Sequence, residues 1–232
     1  VSELRAFPGE PAFGIALTIG AYALALRLNR RWKWLHPLFA TTGALIVFLL
    51  LAHIPYDQYR QGGDVITLFL GPTTVALAVP LYKAVRTMRR HLRAVALGVL
   101  AGSVTGMAAS ALVVWLLGGT RELMLSMLPK SVTSAIAIDI ARQLGGNPQL
   151  SGVFTVLTGL IGSMFGPAVL KLLRIDSDLA IGAAVGTAAH GIGTGRLARE
   201  SEAQAGVSGL AMSLAGVAAS VLSVPLYVWL QG

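Results

Sequence analysis

The sequence predicts an all-α polytopic membrane protein of about eight transmembrane segments, and three observations predict it. Of 232 residues, 55% are hydrophobic and only 12% charged, where a soluble domain carries about 25% charged residues. Mean hydropathy is +0.72. Apolar runs also recur along the whole chain at close to the length of about 20 residues that a membrane-crossing helix needs.

The runs are 11–27, 37–54, 65–82, 94–117, 123–141, 150–170, 179–195 and 206–230. The leading residues V-S-E-L-R-A-F-P-G-E-P lack the basic region, short apolar core and cleavage site of a signal peptide, so the first run is expected to stay as a span. Trp32 and Trp34 beside Arg30, Arg31 and Lys33 read as an interfacial anchor. The third, fifth and seventh runs are the least regular. Residues 1–63 form an N-terminal two-helix scaffold segment. Residues 64–232 form a core with internal repeats at about 64–119 and 123–175 plus C-terminal segments, within one integral membrane domain.

Charge sets an expected orientation. Arg27, Arg30, Arg31 and Lys33 follow the first run, and Lys83, Arg86, Arg89, Arg90 and Arg93 the third. Arg142 follows the fifth, and Arg196 and Arg199 the seventh. All these fall on one side of an eight-span layout, the cytoplasmic side by the positive-inside rule, with both termini opposite. Lys171 and Arg174 break the rule, since that layout puts them outside.

The chain also resembles itself. T-V-A-L-A-V-P-L-Y-K (74–83) echoes T-S-A-I-A-I-D-I-A-R (133–142), and L-A-G-S-V-T-G (100–106) echoes L-I-G-S-M-F-G (160–166). The order and offset suggest a duplicated unit of roughly sixty residues, a common carrier construction. Two spans between equivalent points make the copies parallel. Inverted copies require a broken segment to be re-entrant instead.

The functional signal lies in the fifth run. Pro129 interrupts the helix before Lys130, and Ser131, Thr133 and Ser134 open the helix that resumes. Burying an ammonium at bilayer depth costs roughly 2.5 to 3.5 kcal/mol on insertion scales, so such a residue usually faces a cavity. A cation, hydroxyls and a fresh helix N-terminus suit a small anion. Gly71, Pro72, Thr73 and Thr74 offer a second break of the same kind. The seventh run carries G-T-A-A-H-G-I-G-T-G-R (186–196). Within it His190 is either a proton relay or a hydrogen-bonded structural histidine. Gly191, Gly193 and Thr194 follow it. Asp139 is a second candidate for proton coupling. The spacings Gly98–Gly102–Gly106, Gly162–Gly166 and Gly182–Gly186 read as close-packing helix faces.

Other chemistries find no support. The chain has no cysteine, and its four histidines never pair at ligand spacing, so no metal site or cofactor is expected. No hydrolytic constellation accompanies the serines, so no enzyme activity is expected. The net charge of +8 lies in short loops rather than on an aromatic-interleaved surface, so no nucleic-acid role is expected.

The segments L-G-P-T-T-V-A-L-A-V-P-L-Y (70–82), L-P-K-S-V-T-S-A-I-A (128–137) and G-T-A-A-H-G-I-G-T-G-R (186–196) resemble, in order, those of the LrgB/CidB family of bacterial membrane proteins. The plastid glycolate/glycerate translocator is related to that family. Gly195 departs from the alanine expected in many relatives. The resemblance implies residence in the bacterial inner membrane and two rival functions. One is transport of small monocarboxylates such as pyruvate, glycolate or glycerate. The other is holin/antiholin-like control of murein hydrolase export and lysis with a small LrgA/CidA-type partner. The buried lysine and paired helix breaks favour a carrier, and a homodimer would give the moving parts a scaffold.

Overall fold

A computed structural model describes residues 10–32, 37–69, 72, 82 and 91–231. Among these the secondary structure is helical, without strands. The chain divides into two compact units, Val1–Ala76 and Leu77–Gly232.

In the first unit, α1 (Pro11–Arg31), α2 (Pro37–Leu51) and α3 (Tyr56–Thr67) are described. Gly14 of α1 and Gly62 of α3 meet backbone to backbone. A Cβ on Gly14 would lie 2.6 Å from the Tyr59 carbonyl, and one on Gly62 would run into the Pro11 carbonyl. Thr18 and Tyr59 share a hydroxyl–hydroxyl bond of 2.9 Å beside this contact. Gly71, Thr73 and Thr74 lie outside the described residues, and Pro72 is described only as helical and exposed.

The second unit contains α4 (Leu92–Leu116), α5 (Arg121–Met127), α6 (Ser134–Leu144), α7 (Pro148–Leu172), α8 (Asp178–Leu197) and α9 (Glu202–Gln231). Helices α4, α7 and α9, with α1 of the first unit, are long and apolar enough to cross a membrane. At 1.5 Å per residue, the 25 residues of α4 or α7 reach about 37 Å, more than the roughly 30 Å hydrocarbon core.

The fifth and seventh apolar runs, expected as spans, fold back on themselves. In the fifth, α5 ends at Met127, residues 128–133 form turns, and α6 returns. Leu125, Leu128 and Val132 of the ingoing limb pack in one cluster with Ala137, Ile140 and Leu144 of the outgoing one. The limbs are closed at the base, where the Asn147 amide donates to Ser126 Oγ at 2.7 Å. Gly146 is needed there, since a Cβ would lie 2.7 Å from the Ser126 nitrogen.

In the seventh, the backbone of His190 has φ 39 and ψ −135. That is close to the first central position of a type II′ turn, where glycine is usual. The chain reverses there. A Cβ on Gly193 would lie 2.6 Å from Val185 Cγ1, although eight residues of continuous helix would separate them by about 12 Å. Leu197 joins Val185 and Ala189 in one cluster with Ala205 of α9. At the base, Gln204 Nε2 donates to Asp178 Oδ1 at 2.7 Å.

These hairpins, 121–147 and 178–197, enter from opposite ends of the unit. Helix α7 leads from the base of the first to the base of the second, and α9 leaves the second base. Gly159, Gly162 and Gly166 of α7 face His190, Ala189 and Val185 of α8 in that order, so α7 and the first limb of α8 are antiparallel. Each hairpin is followed by a long helix with an internal proline, Pro167 in α7 and Pro225 in α9.

This topology corrects the charge layout. Because α8 returns to its own side, Lys171 and Arg174 share an end with Arg196 and Arg199. The start of α4, with Arg93, lies there too: Val95 and Val99 cluster with α9 residues against which Leu179 and Ala183 of α8 also pack. Arg142 moves to the other end, with Arg121. The rule-breaking loop of the eight-span reading disappears.

Candidate functional site

The hairpin tips approach the same depth. Gly106 of α4 lies beside the first tip, its Cβ position 3.8 Å from Ser131 Oγ. One turn back along α4, Gly102 faces α8 just before its reversal, 3.1 Å from Thr187 Cγ2. Between them is a cavity of about 630 Å³. Its walls are Gly98, Gly102 and Gly106 of α4, Lys130 and Ser131 of the first tip, Thr158, Ile161 and Gly162 of α7, and Ala183, Ala184, Thr187 and Ala188 of α8.

Lys130 sits in the turns at the first tip because Pro129, fully buried, cannot continue the helix. The backbone is held by i, i+3 bonds from the Lys130 amide to the Met127 carbonyl and from the Val132 amide to the Pro129 carbonyl, both 3.2 Å. The ammonium is half-buried, and among the described residues its side-chain partner is Ser131 Oγ at 3.4 Å. Among the described residues no carboxylate forms an ion pair with it; the pairs present are Arg60–Asp64, Arg142–Asp139 and Arg196–Glu200. Burying a cation without a counter-charge is unfavourable.

The other expected residues divide. Thr133 is the N-cap of α6 and Ser134 its first residue; Thr133 makes no side-chain cap bond, and neither lines the cavity. His190 is buried, and its Nε2–H donates to the Thr155 carbonyl at 3.0 Å. Thr194 Oγ1 donates to the His190 carbonyl and bonds Ser208 Oγ, each at 2.8 Å. Gly193 packs on Val185, and a Cβ on Gly191 would lie 3.7 Å from Met212 Sδ. The motif around His190 thus builds the reversal behind the cavity wall. Asp139 is exposed and paired with Arg142 at 2.8 Å, away from the cavity.

Of the glycine pairs, Gly182 and Gly186 are close-packing positions as expected. A Cβ would meet Val207 at 2.6 Å from Gly182, and the Ser208 carbonyl from Gly186. Gly98, by contrast, has nothing within 4 Å of a Cβ. It borders empty space. Thr158 is a wall hydroxyl that no motif announced, and Thr187 lies in the 186–196 motif but is not one of its expected site residues.

Helix α7 shows how the second hairpin is fixed. Pro167 has no N–H for the carbonyl four residues back, that of Ser163. The Arg196 guanidinium takes its place, Nη1 donating to the Ser163 carbonyl and, at 3.3 Å, to that of Met164.

Fold and site together define a helical membrane protein in which two re-entrant hairpins from opposite ends border a cavity with α4 and α7, and among the described residues its lining cation, Lys130, has no ion-pair partner. The model of the LrgB-like family matches residues 18–230, and the chain belongs to that family. It is 38% identical to Uncharacterized protein YxaC of Bacillus subtilis over 218 residues, 93% of this chain and 94% of that protein. It is 37% identical to Uncharacterized protein YwbG of the same organism over 204 residues, 87% and 90% of the two chains. With Antiholin-like protein LrgB of Bacillus mycoides it shares 30% identity over 221 residues, 94% and 96%. No solved structure matches the chain.

Proposed function

We propose that this protein is a secondary carrier of small monocarboxylates, with the substrate carboxylate bound by Lys130 between the hairpin tips. The observation that carries the reading is the half-buried ammonium, open to a cavity of about 630 Å³ and without a carboxylate partner among the described residues. Ser131, Thr158 and Thr187 supply hydroxyls beside it, and the N-terminus of α6 adds its dipole. A bound carboxylate offsets the cost of burying Lys130, so loaded and empty forms prefer different arrangements. Hairpins entering from opposite ends give each tip one side to open towards, the logic of alternating access. The hairpin-plus-helix units 121–172 and 178–231 are then an inverted pair, different from the pair suggested by the echo of 74–83 and 133–142.

The basic end, with Arg93, Lys171, Arg174, Arg196 and Arg199, faces the cytoplasm of the bacterial inner membrane. His190, behind the cavity wall, is the candidate for proton coupling, and the carrier is a homodimer. Purified protein in liposomes should accumulate labelled pyruvate or glycolate, and Lys130→Ala should abolish uptake in protein that remains folded. Undiminished uptake in that variant removes Lys130 from the mechanism.

A second reading rests on a specific observation, the name Antiholin-like protein LrgB borne by the Bacillus mycoides relative. On that reading the chain modulates murein hydrolase export with a small LrgA/CidA-type partner. Liposomes would then show no saturable uptake, and the lysis phenotype of a deletion would require both proteins. The names favour this reading, and the cavity chemistry favours the carrier.

A further inference from the structure

The cavity is far longer than a two- or three-carbon acid. From Gly106, beside Ser131, to Gly98 is eight residues of α4, about 12 Å along the axis at 1.5 Å per residue. Lys130 is at one end. Towards Gly98 the described wall is made of small apolar residues, with Ala183 and Ala184 of α8 on the facing side, and among the described residues no second charged side chain lines the cavity. At a water's share of about 30 Å³ per non-hydrogen atom, the roughly six such atoms of a three-carbon acid fill under a third of 630 Å³.

We infer that the site takes monocarboxylates with an unbranched aliphatic tail, the head on Lys130 and the tail lying along Gly106, Gly102 and Gly98. With about 3 Å of the roughly 12 Å taken up by the carboxylate head, and about 1.3 Å of advance per bond in an extended chain of ~1.5 Å bonds, the trough holds about seven carbon–carbon bonds, an acid of about eight carbons. Gly98 is the residue that limits tail length. Its Cβ position is open, so a larger side chain enters the cavity rather than the protein. This inference rests on the proposed role of Lys130 as the carboxylate site.

The test is binding of acetate, butyrate, hexanoate, octanoate and decanoate to the full chain in nanodiscs, with binding to empty nanodiscs subtracted. Affinity should rise about fourfold per methylene, the transfer gain of a buried CH₂, up to octanoate and no further. Gly98→Val should lower the octanoate-to-butyrate affinity ratio at least tenfold. Suberate, which carries a second carboxylate to the uncharged end, should bind at least tenfold more weakly than octanoate. Lys130-dependent binding that is flat with chain length, or a ratio unmoved by Gly98→Val, overturns the inference and leaves the carrier reading standing. Binding of every acid unchanged by Lys130→Ala overturns both.

Discussion

Removing the Arg196 guanidinium should loosen the second hairpin, and the proline opposite should determine by how much. Arg196 Nη1 donates to the Ser163 carbonyl, which Pro167 leaves without its helical partner. A hydrogen bond from a charged donor to a buried acceptor contributes about 1.5–3 kcal/mol. Arg196→Gln should therefore cost about 2 kcal/mol, or roughly 4–8 °C in Tm for a chain of this size. The ion pair with Glu200 is partly exposed, its side chains 33% and 50% accessible, and contributes at most about 1 kcal/mol. Glu200→Gln is the control for it. Pro167→Ala returns an amide N–H to the Ser163 carbonyl. In that background Arg196→Gln should cost less than about 1 kcal/mol, a coupling within the range seen for groups sharing one acceptor. The assay is thermal unfolding of the four purified variants in one detergent. Equal losses of Tm in the proline and alanine backgrounds would refute the reasoning, because the guanidinium would then not be replacing the missing amide.

Three further outcomes follow from the geometry. Gly186→Ala drives a methyl into the Ser208 carbonyl, whereas Gly98→Ala meets nothing within 4 Å; the first should abolish folded protein on size-exclusion chromatography and the second should not. His190→Ala keeps a positive φ and loses the bond to Thr155, so it should lower stability by about 1–2 kcal/mol in thermal unfolding. His190→Gly, free of the steric cost of that φ, should be at least about 0.5 kcal/mol more stable than the alanine variant. Because the chain has no native cysteine, single cysteines give a clean map of sidedness. Arg121→Cys and Arg142→Cys should react with an impermeant maleimide from one face of the membrane, and Lys171→Cys and Arg174→Cys from the other. Labelling of positions 142 and 171 from the same face would sink the hairpin topology.

Composition and run length determined the solvent: with so few charges and such long apolar stretches, the chain must satisfy its backbone in helices. The Pro129–Lys130–Ser131 break was legible for the same local reason, since proline ends a helix wherever it sits and a lysine at that depth needs a counter-charge. What local signals could not give was the fate of the chain after a break. An interrupted apolar run reads the same whether it continues across or returns, and the difference lies in contacts such as Gly193 on Val185 and Asn147 on Ser126. The glycines illustrate the same limit. Gly182, Gly186 and Gly98 share one spacing pattern, yet the first two pack against α9 and the third borders the cavity. Spacing fixes which face a residue occupies, but only the neighbouring helices decide whether that face is filled.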